Sequence, residues 1–162
     1  MSRPTAYSPT VYDLFACSSK SSQKEFNSTL QKEASRRWER LASEMERSDA
    51  IDALLVLPQR YREENWDGQG ATPLPEAAFQ EARAFLQKLP TTIPLPEVIA
   101  EPDGYLGLEW YANKWLMYVV SFNGKGALSC SGLFGPERNY GTRYMDEGIP
   151  AGILRDITKV LQ

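Results

Sequence analysis

The chain contains no histidine, and this absence excludes a good deal of chemistry. Histidine is the usual general base near neutral pH and the commonest metal ligand. Ser-His-Asp, Cys-His and two-histidine metal sites are therefore out of reach. An enzyme built on this sequence would have to work with carboxylates, Lys, Arg, Tyr or a thiol. Cysteine is nearly as scarce, with only Cys17 and Cys130, far apart. A structural zinc site takes four Cys or His ligands, so none is expected here, and neither is any other metal or cofactor. A chain of 162 residues can bury a core without disulfides. Two reduced thiols are the expectation, as in a cytoplasmic protein. No apolar run is long enough to span a bilayer, which argues against a membrane partner. Leu14-Phe15-Ala16-Cys17 has the look of a lipoprotein cleavage site, but Pro9 and Asp13 interrupt the residues before it and no hydrophobic signal core forms.

A dominant charge is missing as well. Lys and Arg number 18 against 21 Asp and Glu, a formal net charge of −3. That is too mild for a polyanion mimic and of the wrong sign for nucleic-acid binding. The 42% hydrophobic and 24% charged residues fit an ordinary globular domain.

Residues 1–30 are rich in Ser and Thr and show no sustained periodicity. They read as a mobile polar tail, and 31–162 as a single α+β domain. Within the tail, Tyr7, Tyr12, Leu14 and Phe15 are the candidate anchors of a segment that orders on a partner. Between Gln31 and Arg47, Trp38, Leu41, Ala42 and Met45 repeat at helix-face spacing with charges on the other side. A second helix is expected from Ser48 or Asp49, either able to cap free amides, carrying Ile51, Leu54, Leu55 and Leu57 up to Pro58. Asn65–Ala71 is loop chemistry. A helix over about 75–88, with Ala78, Phe79, Ala82, Phe85 and Leu86 on one face, stops at Pro90.

The period then changes from helix to strand. Val98–Glu101, Tyr105–Tyr111, Trp115–Phe122 and Lys125–Ser131 are predicted strands. Leu106, Leu108 and Trp110 share one face of the second, and the third is almost wholly apolar, as a central strand is. Asn123-Gly124 is a strong hairpin signal. Leu133–Tyr144 is expected to be irregular, with one edge strand near Thr142–Met145. Ile153, Leu154, Ile157, Val160 and Leu161 mark a last helix from about Pro150. The fold class is α+β: N-terminal helices, an antiparallel β-meander of three to five strands, and a C-terminal covering helix.

The pattern Asn-Trp-Asp-Gly-x-Gly-Ala at 65–71, with Leu89-Pro90, Asp103-Gly104 and Leu108-Glu109-Trp110, resembles a family of small uncharacterised bacterial proteins. The resemblance spans roughly 60–162. It implies a gene near mobile elements, where toxin–antitoxin and defence systems are common, and brings no catalytic residues with it. Position 69 is Gln here, where that pattern more often has an aromatic.

Trp66 and Asp67 admit two roles: an Asx turn plugged from below by the indole, or an exposed anchor for a partner. Glu109, beside Trp110, is either a solvent-facing strand position or one half of an acid–base or metal-binding carboxylate pair with Asp67 or Glu64. Gly124-Lys125 lacks the following Ser or Thr of a phosphate loop. Tyr105, Tyr111, Tyr118, Tyr140 and Tyr144 could stack on bases, but few basic residues accompany them, so packing within the sheet is the expectation. The sequence points to a non-enzymatic protein that binds another protein, an antitoxin-like or regulatory member of a bacterial gene pair. Its binding candidates are Trp66, Asp67, Glu109, Trp110, Tyr12 and Phe15. The alternatives are a carboxylate-dependent, metal-assisted hydrolase and an inert subunit of a larger assembly.

Overall fold

The structure, a computed structural model, describes residues 20–145 and 148–162, with side chains from residue 28 onward. Tyr7, Tyr12, Leu14, Phe15 and Cys17 lie outside the described residues. The chain divides into two compact units, Met1–Glu46 and Arg47–Gln162.

One helix, α1 (Lys20–Leu54), replaces the two expected. It begins inside the segment read as a tail. Ser48 and Asp49 are good caps, but neither breaks a helix, and no Pro or Gly interrupts residues 20–54. Charges four apart, such as Glu33 with Arg37 and Arg40 with Glu44, suit a solvated helix. The apolar stripe of this helix is exposed: Trp38 is 72% and Met45 67% accessible, and every side chain from Ser28 to Glu46 is open. Helix-face spacing predicts an apolar stripe, but not what covers it. The unit from Arg47 onward takes only the last turns of α1, where Ile51 enters the core. Arg83 pairs with Asp52 at 2.8 Å.

After a 3₁₀ turn (Gln59–Arg62) and the Asn65–Ala71 loop comes α2 (Glu76–Lys88). It buries the predicted face of Ala78, Phe79, Ala82, Phe85 and Leu86. Five strands follow, β1 (Glu97–Ala100), β2 (Leu106–Asn113), β3 (Leu116–Phe122), β4 (Ala127–Phe134) and β5 (Glu137–Tyr144). They form an antiparallel meander in chain order. The helix α3 (Ala151–Val160) closes the chain, burying Ile153, Ile157 and Val160. The α+β class, the meander and the covering helix are as expected.

Alternation along each strand sorts side chains to two faces. Leu106, Leu108, Trp110, Tyr118, Val120, Phe122, Leu128 and Cys130 are buried on one of them. Both α2 and α3 pack on that inner face. Phe85 of α2 is the centrepiece, its ring 5.5 Å from Phe122 edge-on and 6.4 Å from Trp110.

Two turns depart from expectation. The Asn123-Gly124 hairpin does reverse the chain, but register runs from Phe122 to Leu128, so its loop covers 123–127. Glu81 of α2 draws that loop in, accepting from the Gly124 amide at 2.9 Å and the Gly126 amide at 2.6 Å. A Cβ on Gly124 would come within 2.6 Å of Ala77, so only glycine lets the hairpin lie this close to α2. The stretch 133–144, expected to be irregular, is instead strand nearly throughout. Gly135 (φ 64°) followed by Pro136 makes a tight turn between the paired Phe134 and Glu137, as a glycine in the first central position does. The glycines near it masked a full-length strand.

Loss of the Glu81 latch should be measurable. Bonds to a charged acceptor contribute about 1.5–3 kcal/mol each, and Glu81 is partly exposed. Glu81→Ala should therefore lower the unfolding free energy by about 2 kcal/mol. Glu81→Gln, which keeps one acceptor oxygen, should lose less. Urea midpoints at unchanged m-value read both.

Candidate functional site

The Asn65–Ala71 loop is closed by its own side chains. Asn65 adopts φ 56°, a conformation Asn tolerates better than most residues. Its Oδ1 accepts from the Gly70 amide at 2.6 Å, and its own amide donates to Ala71 O at 2.8 Å. Asp67 Oδ1 accepts from the Gln69 and Ala71 amides at 2.8 and 3.0 Å, an Asx turn extended by one further bond. The Gln69 amide is the main cause holding the Asp67 carboxyl below its ordinary 3.8. Desolvation pulls the other way, and the Ala71 amide adds to the lowering. Trp66 is half-buried, packs edge-on against Tyr61 at 4.7 Å and donates Nε1–H to Thr72 O at 3.1 Å. The Thr72 amide in turn donates to Pro102 O, tying the loop to the β1–β2 turn. Of the two roles open to Trp66 and Asp67, the bonding favours that of a scaffold. The exposed part of the indole is what is left to meet a partner.

Glu109 stands in β2 directly across from Glu97 of β1, on the face opposite the helices. Asp67 Oδ1 already accepts its two amides in the loop. Among the described residues no group of three or more His, Cys, Asp or Glu could hold a metal ion. Trp110 is 3% exposed and donates Nε1–H to Pro94 O at 2.9 Å. It is a core residue rather than the binding residue expected, with its ring and its N–H both engaged inside the fold. Its place in the alternation with Leu106 and Leu108 is what carries it inward.

The sequence did not flag the polar cluster beneath α3. Asp156 is buried, yet accepts from Asn139 Nδ2 at 3.2 Å and lies 3.3 Å from Lys159 Nζ. Tyr118, Cys130, Arg143 and Arg155 complete the walls of a cavity of about 50 Å³. Burial pushes the Cys130 thiol up, the Tyr118 bond and Arg143 pulling the other way. Burial likewise raises Tyr118, and the neighbouring Cys130 adds to the shift. The Asn139–Asp156 bond ties α3 to β5 across this cluster. An Asp among the apolar stripe of Ile153, Ile157 and Val160 was its only sequence signal.

The other face of the sheet carries no helix of the unit from Arg47 onward. Register sets its side chains in rows across the strands: Tyr111, Met117, Leu133 and Arg138; then Glu109, Val119, Ser131 and Tyr140; then Gly107, Ser121, Ser129 and Thr142. Apolar character falls from the first row to the third. Between the first two rows lies an open groove of about 250 Å³, lined by Met117, Val119, Leu133, Arg138 and Tyr140 among others. Tyr140 is 83% exposed at its rim, and Tyr111 and Trp115 are exposed at the same end. The expectation that the tyrosines serve packing holds for Tyr118 and fails for Tyr111, Tyr140 and Tyr144, which are exposed. The signal available in the sequence was β3 itself, apolar at Met117 and Val119 as well as at Tyr118 and Val120. Its expected place as a central strand is met, β3 lying in the middle of the five.

Comparison with protein-family models, with curated proteins and with solved structures gives no match to this chain.

The Asx turn makes a pH prediction. A depressed folded-state carboxyl contributes stability above its unfolded value and loses it as pH falls through the folded value. Asp67→Ala should be less stable than wild type at neutral pH. The gap should narrow as pH drops below 3.8, read by urea denaturation across an acid series.

Proposed function

We propose that this chain is a non-catalytic protein-binding module that receives apolar side chains of another protein in the groove on the open sheet face. One observation carries the reading: an apolar row, Tyr111, Met117 and Leu133, runs across a face that no helix of its own unit covers. Contiguous exposed apolar surface with a polar rim marks an interaction site. Tyr and Arg, here Tyr140 and Arg138 beside the groove, are the residues most often found to anchor such contacts. The groove is open and shallow, and its walls are side chains of rigid strands. It suits a helix or extended segment presenting one or two aliphatic groups, more than a small polar substrate. The resemblance carried by Asn65–Ala71 supports the narrower reading, an antitoxin-like or regulatory member of a bacterial gene pair whose partner is the neighbouring gene's product.

Met117 sits at the centre of the first row, between Tyr111 and Leu133, half-exposed and away from the core. Met117→Glu should leave near-ultraviolet circular dichroism and the urea midpoint close to wild type. It should weaken the complex with the co-encoded partner by tenfold or more, about 1.4 kcal/mol, in calorimetric titration. A partner that binds wild type and the variant equally would remove the groove from the interface. A neighbouring gene product that binds neither would remove the gene-pair reading.

A further inference from the structure

The two edges of the sheet are unlike. β1 is four residues long, with Pro94 and Pro96 just before it and Pro102 just after. Short length and flanking prolines are how natural edges avoid pairing with another chain. β5 has neither device. It runs eight residues in unbroken register with β4, contains no proline, and is exposed at every residue except Gly141, which is half-buried. Its outer backbone edge is a template for one more strand.

The sequence of β5 fits one strand in particular. In an antiparallel pairing of β5 with a second β5 about a two-fold axis at Tyr140, Glu137 falls opposite Arg143. Arg138 then faces Thr142, and Asn139 faces Gly141. Both Glu137–Arg143 contacts lie on one face of the sheet, as alternation requires. Among the described residues neither Glu137 nor Arg143 takes part in an ion pair. A shift of two residues breaks this match, placing Glu137 opposite Gly141 in one direction or leaving it unpaired in the other. A slip of one would turn each copy's open face against the other's helix face. The charges that discourage indiscriminate pairing thus select a single register with a second copy.

We infer that the chain forms a two-fold homodimer through β5, joining two five-stranded sheets into one continuous sheet. The two Tyr140 side chains meet at the axis on the open face, and the groove beside each becomes one half of a surface spanning both copies. The interface is independent of whether that surface takes another protein.

A charge exchange tests it on the full-length chain by sedimentation equilibrium across a concentration series. Wild type should show a reversible monomer–dimer equilibrium. Glu137→Arg and Arg143→Glu should each set like charges opposite one another twice per dimer and raise the dissociation constant by about tenfold. The double exchange should return it to near the wild-type value. Arg143 also faces the polar cluster, so its variant could fail to fold. In that case Glu137→Arg at the exposed end of the strand still decides, with concentration-dependent protection of the β5 amides from hydrogen exchange as the second readout. A wild type that stays monomeric overturns the proposal. So does a dimer that the exchanges leave unchanged, which would place the interface elsewhere. Met117→Glu lies outside β5 and should leave the dimer intact, which keeps failure of the groove and failure of the edge distinguishable.

Discussion

The contact of Phe85 with Trp110 and Phe122 fixes α2 on one face of the sheet, and most of the architecture follows from it. With α2 seated, Glu81 faces the β3–β4 hairpin and Arg83 faces Asp52 at the end of α1. The same helix presents Glu76 to Arg62 at 2.6 Å, holding the 3₁₀ turn that leads into the Trp66 loop. The last helix, α3, completes cover of the inner face through Ile153, Ile157 and Val160. A sheet covered by two helices on one side, and by no helix of its own unit on the other, must solve the second side with its own side chains. Small and polar residues do so at one end, where Ser121 donates to Glu101 at 2.5 Å. Methionine, valine, leucine and tyrosine stand at the other end, which is where a binding surface is available.

Strong local periodicity made much of this legible from residues alone. The α2 face, the α3 stripe, and the alternation of Leu106, Leu108 and Trp110 each carry their period without interruption. Failures came where local pattern and tertiary context part. The stripe of Trp38, Leu41 and Met45 has the spacing of a buried face, but spacing says nothing of what lies against it. The β5 strand is hard to see in the sequence because glycine is common in loops, whereas Gly135 serves a hairpin turn and Gly141 a strand interior. The site was less legible than the fold. Trp110 shares its strand face with Leu106 and Leu108 and is core with them, whereas Trp66 lies in a loop with no period to place it and is half-buried.

The Asn65–Ala71 loop and the Asp156 cluster show polar residues used for architecture. In the first, Asn65 and Asp67 replace the backbone ladder that a tight loop cannot make, and the indole of Trp66 supplies the apolar floor beneath it. In the second, a buried carboxylate is held by an amide and a lysine, with raised groups at Tyr118 and Cys130 on the far wall. Both are constellations that chemistry could in principle use. In both, the polar atoms are already engaged with neighbours from their own unit.

The prolines around β1 have a consequence for valence. A sheet with two open edges can add copies at both ends and has no natural stopping point, which is the geometry of a filament. Here one edge is short and flanked by Pro94, Pro96 and Pro102, while the other runs eight residues without a proline. Growth through an edge that meets its own twin ends after a single step, because a two-fold contact uses the same surface on both sides. The arrangement at β1 thus favours a closed pair over a growing array in any assembly built by extending this sheet.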